Sequence, residues 1–188
     1  MIIRHETPAD AAAVRSVVSA AFGSSLEADL VEALRPLGGD RFSFVAERDG
    51  AVVGHVMCTP SLLDAPERLV DVLTLAPLAV APEHQRTGVG RALVAGVLRS
   101  AVEAGYPLVF LEGDWRYYGR LGFRRGDELG FRAPSLRIPA PAFQVAVLAG
   151  HEPWMTGTLV YPEAIWRLDC VGLRGDDLAQ VLLRPDAR

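Results

Sequence analysis

The 188-residue chain contains no lysine and no asparagine, and all 19 of its basic side chains are arginine. Alanine, arginine, glycine and proline dominate instead, which fits base bias in the gene rather than a function. Without asparagine there is no N-glycosylation acceptor, and without lysine there is no Gly-Lys-Ser/Thr of a P-loop. The chain cannot modify a lysine of its own. Cysteine is nearly absent: Cys58 and Cys170 are the whole complement, and no CxxC pair occurs. A disulfide framework and a zinc site are both excluded on that spacing, and a reduced cytoplasm is the expected setting. No apolar run approaches the roughly 18 residues that span a bilayer. The start, MIIRHETPAD, lacks the apolar core of a secretory leader. With a net charge of -4 there is no basic field to hold nucleic acid or an anionic membrane surface. There is no internal repeat and no low-complexity linker, so one domain over 1–188 is expected.

What is present is patterned. IIRH reads as a first strand. Thr7, Pro8 and Asp10 read as a helix start, with Thr7 as cap, and an apolar stripe then runs from Ala12 to Phe22. A second helix is expected from about Leu26 to Leu34, ending before Pro36. RFSFVAERDGAVVGHVMCT reads as a hairpin turning at Asp49-Gly50. VDVLTLAPLAV is nearly all apolar and reads as a central strand. A helix from about Gly88 to Ala104 follows, then the strand PLVFLEG, a short helix in DWRYYGRLGF capped by Asp114, and a late strand FQVAVL. The order β-α-α-β-β-β-α-β-α-β-β predicts an α/β domain built on a mixed sheet. Pro77 cannot donate to a ladder, so the central strand should bulge there and splay from a neighbour.

Between that strand and the next helix lies QRTGVG. A helix N-terminus offers unpaired N–H groups and the positive end of a dipole, and glycine lets backbone approach closely. An anion such as a phosphate suits that place. The third glycine of a dinucleotide-binding turn is missing.

Gln85, Gly88 and Gly90 in QRTGVG, with Tyr118 before Leu121-Gly122-Phe123 in YYGRLGF, resemble the GNAT superfamily of acyl-CoA-dependent N-acyltransferases. The element order agrees from residue 2 to about 148, with 149–188 as an extension. PLAVAPEHQRTGVG, the double tyrosine and the late GTLVYPEA look most like its YhbS-like bacterial branch. The resemblance implies a GNAT-like fold with splayed central strands and acetyl-CoA as co-substrate, with no metal. It implies that Leu78, Ala79 and Val80 pair with the pantetheine arm, and that Gln85, Arg86, Thr87, Gly88, Val89, Gly90 and Arg91 wrap the diphosphate. It implies direct attack by a primary amine of a small molecule or peptide on the thioester. A backbone N–H after Pro77 would meet the oxyanion, and Tyr118 would protonate the leaving thiolate. A non-catalytic acyl-CoA sensor is the competing expectation.

The base stays open among Glu112, His55, Asp114 and a water chain. Against these stand plain readings: His55 as a strand surface residue, Asp114 as a helix cap, Glu112 as a strand-end charge. Cys58 reads as core. Arginines 116, 120, 124, 125, 132 and 137 read as a solvated face from which one or two meet the coenzyme's 3′-phosphate. Trp154 and Trp166 read as cover for the sheet, with an acceptor pocket or a homodimer contact as alternatives. The acceptor side is expected from SAAFGSSLEADL, the hairpin end and the tail, and an acidic cleft from Glu27, Asp29 or Glu32 would suit a cationic amine.

Overall fold

The computed structural model describes residues 1–182. Strand β1 (Ile2–His5) leads into a 3-10 turn at Pro8–Asp10 and helix α1 (Ala11–Phe22). The Asp10 carboxylate accepts hydrogen bonds from the Thr7 N–H and hydroxyl (2.8 and 2.7 Å) and from the Arg4 guanidinium (2.7 and 2.8 Å), so the helix start is tied to β1. Helix α2 (Leu26–Leu34) follows after Gly23, whose left-handed backbone (φ 68°) ends α1. Strands β2 (Ser43–Arg48) and β3 (Ala51–Asp64) form the hairpin, with Asp49 and Gly50 both at positive φ as a primed turn demands. Strand β4 (Leu69–Val80), helix α3 (Val89–Glu103) and strand β5 (Leu108–Glu112) make the central crossover, and α4 (Trp115–Tyr118) follows.

Beyond α4 the order departs from expectation. Strands β6 (Arg124–Arg125) and β7 (Phe131–Arg132) precede β8 (Phe143–Val147) and β9 (Gly157–Val160), and helices α5 (Glu163–Arg167) and α6 (Gly175–Leu182) close the described chain. Two-residue strands have no periodicity to read, and only their partners define them.

The sheet runs β1-β2-β3-β4-β5-β8-β6, with β9 on the far end of β3 and β7 beside β9. β3 is long enough to take β2 along its first half and β9 at Leu62–Asp64. Both sheet faces are covered. Val89, Leu93, Val94 and Val97 of α3 pack on Leu73, Leu75, Val109 and Leu111. Val14, Val18, Leu30 and Leu34 of α1 and α2 share the other core with Val72, Leu108, Phe110 and Phe143, and the C-terminal Leu159, Tyr161 and Ile165 join it. No helix of the described residues is long and apolar enough to cross a membrane.

The proline does distort β4. Val56 of β3 faces Leu78 and Cys58 faces Leu75, so Met57 opposes both Ala76 and Pro77, which are joined by a cis peptide bond. The extra residue reverses the alternation. Before it, Leu73 and Leu75 point to the α3 side; after it, Leu78 and Val80 do, and Ala79 turns to the other core.

Candidate active site

Beyond Thr74, β4 and β5 part. Their parallel pairing consists of Leu73 with Val109 and Thr74 with Phe110. From there the bulge carries β4 away while β5 runs on to Glu112. β4 keeps its antiparallel partner β3 at Leu78, Ala79 and Val80. Its opposite edge is without a strand partner among the described residues. A cavity of about 440 Å³ opens in the gap, lined by Thr74–Leu78, Glu112–Asp114 and Tyr118.

The loop after β4 sits at the edge of this gap. Gln85 Nε2 donates back to the Val80 carbonyl (3.1 Å), and the Thr87 hydroxyl donates to the His84 carbonyl (2.7 Å). Arg86 and Gly88 take left-handed backbone (φ 59° and 88°), and this curl delivers the chain into α3. Val89 is buried and anchors the turn, while Gln85, Arg86, Thr87, Gly88 and Arg91 are exposed. The first-turn N–H groups of α3 thus open to solvent at the positive end of the helix. Gly90 lies beneath the Tyr117 hydroxyl, so close that a Cβ there would overlap it. That contact brings QRTGVG and YYGRLGF together, although 27 residues separate Gly90 from Tyr117.

Tyr117 and Tyr118 then divide. The Tyr117 ring stays outside the cavity, 39 % exposed over α3. Tyr118 lines the cavity, its ring packed on Gly113 and edge-on to Phe123 at 5.7 Å. Asp114 caps α4 by accepting from the Arg116 N–H (2.9 Å), as the plain reading has it, although it also borders the cavity.

Among the base candidates the structure separates Glu112 from the rest. Its carboxylate borders the cavity, where Tyr161 Oη donates to Oε1 (2.8 Å) and the Gly172 N–H donates to Oε2 (2.9 Å). Burial pushes the carboxyl up to about 6, against the pull of those two donors and of Arg137. His55 is not at the site and is not a surface residue. It is fully buried, with Ser43 Oγ at 2.9 Å and Glu6 at 3.3 Å, and burial lowers its pKa. A strand pattern does not say which polar residue a neighbouring loop will cover, and here Glu6 and Arg35 close over it, themselves paired at 2.6 Å. Cys58 is core, its thiol pushed well up by burial.

Of the segments expected on the acceptor side, Phe22, Leu26, Glu27 and Leu30 line the cavity, and so do tail residues between Tyr161 and Val181. The hairpin end, also expected there, takes no part. Asp29 and Glu32 lie outside, both paired with Arg15 at 2.7 Å, and Trp154 and Trp166 are outside as well. Of the arginine group, Arg125 is paired with Asp127, Arg137 with Asp169, and Arg132 donates to Thr158, while Arg120 and Arg124 are exposed. The tail donors to Glu112 are outside the reach of sequence reasoning: they are 49 and 60 residues away, and no local pattern links them. No group of three or more His, Cys, Asp or Glu suited to a metal occurs among the described residues.

Residues 2–126 match the family described as Acetyltransferase (GNAT) domain. The chain is 35 % identical over 167 residues to the uncharacterized N-acetyltransferase YhbS of Escherichia coli, covering 87 % of this chain and 97 % of that one. It is 38 % identical over 129 residues to YjhQ of the same organism, covering 66 % and 71 %. The crystal structure of Escherichia coli YhbS with CoA superposes with a TM-score of 0.79 at 34 % identity, over 93 % of this chain and 94 % of that one. A GNAT acetyltransferase from Brucella melitensis with acetyl-CoA gives 0.70 at 31 %, over 87 % and 97 %. With its two motifs in contact at Gly90 and Tyr117 and its fold shared along nearly its whole length, the chain belongs to the GNAT family of N-acetyltransferases.

Proposed function

We propose that the chain moves an acetyl group from acetyl-CoA directly to a primary amine of a small molecule or peptide. The observation that carries this reading is the convergence of Tyr118 and a buried, proton-hungry Glu112 on the cleft between β4 and β5, with Gly90 in the first turn of α3 set against the neighbouring Tyr117.

The residues present suit the coenzyme. Around Gly88 there is open space for a close ligand, and the amides of Arg86 to Arg91 suit a diphosphate, with arginine charge beside them. The unpaired edge of Leu78, Ala79 and Val80 suits strand-like pairing with the pantetheine amides. When bound, acetyl-CoA supplies the activated acyl group. Glu112 accepts the proton that the amine loses as it attacks. A backbone N–H beyond Pro77 donates to the developing oxyanion. Tyr118 donates to the leaving sulfur, and hydrogen bonding suffices there because a phenol is a weaker acid than a thiol. The pairing of β9 with β3, and the tail donors to Glu112, support reading 149–188 as part of the same domain.

Calorimetry with CoA and thiol release from acetyl-CoA with a panel of amines test the reading. Binding with turnover of at least one amine is expected. Absence of heat at millimolar CoA overturns it, and tight CoA binding with no amine turned over replaces it with an acyl-CoA sensor.

A further inference from the structure

The walls of the cavity limit which amine can enter. Its volume of about 440 Å³ lies in the lower half of the roughly 300–1,000 Å³ common for small-molecule pockets. Phe22, Leu26 and Leu30 on one side and Ile165 and Leu173 on the other make it apolar. Its charge is acidic and unevenly spent. Asp169 is neutralised by Arg137 (2.5 Å) and Arg174 (2.6 Å), and Asp114 serves α4 and Arg116. Arg174 is the one cationic side chain among the described lining residues, and it is engaged by Asp169 through both the carboxylate and the backbone carbonyl (2.7 Å). Glu27 has the Ser24 hydroxyl as its donor (2.6 Å) and lines the same cavity as Glu112 and Cys170.

We infer that the acceptor is a primary amine carried on a compact apolar body, with no carboxylate beside the amine, and that residues 161–181 form the wall that selects it. The inference rests on the acetyl-transfer reading above. The amine is drawn by Glu27 as an ammonium, attacks in its neutral form after releasing one proton to solvent, and gives the second to Glu112, while its body displaces water from the leucine and isoleucine walls. A carboxylate next to the amine would be forced against Glu112 with no spare cation to receive it. A second ammonium pairs with Glu27, but the third that a polyamine such as spermidine carries would lie on apolar wall without a partner, which is costly. These two penalties exclude amino acids and polyamines.

The test compares four probes on the full chain: 2-phenylethylamine, phenylalanine (the same body with a carboxylate added), spermidine and a short peptide with a free N-terminus. Two readouts are used, the melting temperature of the CoA-saturated chain and kcat/KM with acetyl-CoA. Only 2-phenylethylamine is expected to raise the melting temperature. Its kcat/KM should exceed those of phenylalanine and spermidine by at least about tenfold, the worth of one unfavourable charge contact of about 1.4 kcal/mol, and that of the peptide, whose amides would face the apolar walls unpaired, by a similar factor. Leu173→Asp should raise its KM at least about tenfold with KM for acetyl-CoA unchanged, because the apolar ring would then have to pack against a carboxylate stripped of water. Phenylalanine, spermidine or the peptide matching or exceeding 2-phenylethylamine overturns the inference while leaving acetyl transfer intact. A Leu173→Asp chain that turns over 2-phenylethylamine like the parent overturns the role of the tail wall. No turnover of any amine removes both readings together.

Discussion

At the residue scale, the two side chains proposed for the chemistry can be told apart by kinetics. Tyr118→Phe keeps the ring that packs on Gly113 and Phe123 and removes the hydroxyl. An interaction made mainly as charge grows on sulfur lowers kcat and not affinity. A kcat lower by about 10²–10⁴-fold is expected, with CoA titrating as in the parent. Tyr117→Phe should cost far less, since that ring stays outside the cavity. Glu112 makes a different prediction. Its carboxyl is held up at about 6 by burial, so it is a base only when ionised, above that pH. The kcat/KM for the amine should fall as pH drops through about 6. Glu112→Gln should lower kcat by about 10²–10⁴-fold and abolish that limb of the profile. Stability carries the opposite sign. A raised carboxyl pKa favours the folded state when protonated, so this group's contribution is present below its ordinary value near 4.5 and is lost as pH rises through about 6. The pair Glu6 and His55 gives a converse case: burial pushes the Glu6 carboxyl up, but hydrogen bonds with His55, Ser43 and Arg35 outweigh it and hold it at about 2. That contribution is present above about 4.5 and is lost as pH falls toward 2.

At the element scale, the loop between β4 and α3 depends on two left-handed residues, Arg86 and Gly88, of which Gly88 gives the cleaner test. Gly88 has φ 88°, and a Cβ added there would have no atom within 4 Å, so a methyl group strains the backbone and projects into the space where a ligand would lie. Gly88→Ala should weaken CoA at least about tenfold, beyond a strain cost of about 1–2 kcal/mol in stability. Gly105 has φ 80° and equally open surroundings, and it lies past the opposite end of α3. Gly105→Ala therefore repeats the strain without the ligand. Similar melting losses in both, with CoA affinity lost in Gly88→Ala alone, is the expected result. Gly90 is less clean, because a Cβ there meets the Tyr117 hydroxyl first and would push that ring aside.

At the scale of the whole molecule, the C-terminal stretch should contribute to folding as much as any core element. Leu159 is 1 % exposed in the core shared with α1 and α2, so Leu159→Ala should cost about 2–5 kcal/mol in denaturant unfolding. A ligand of the native state must also stabilise it. CoA at a hundred times its Kd should add about 2.7 kcal/mol, or roughly 5–11 °C in Tm for a chain of this size.

The sequence by itself determined the elements whose cause is local. The Asp49-Gly50 turn, the Thr7–Asp10 helix start, the Asp114 cap and the apolar run of β4 each follow from side-chain chemistry within a few residues. The bulge at Pro77 was legible for the same reason, since a missing N–H is a property of one residue. What tertiary structure alone decided is which distant groups share a space. Glu112, His55 and Asp114 were equal candidates in one dimension. In three, Glu6, Ser43 and Arg35 enclose His55, α4 claims Asp114, and Tyr161 and Gly172 turn Glu112 into the cavity from 49 and 60 residues away. The tail wall was illegible for the same cause. A proton affinity is set by desolvation and by the donors that fold against a group, and neither exists until the chain has closed around it.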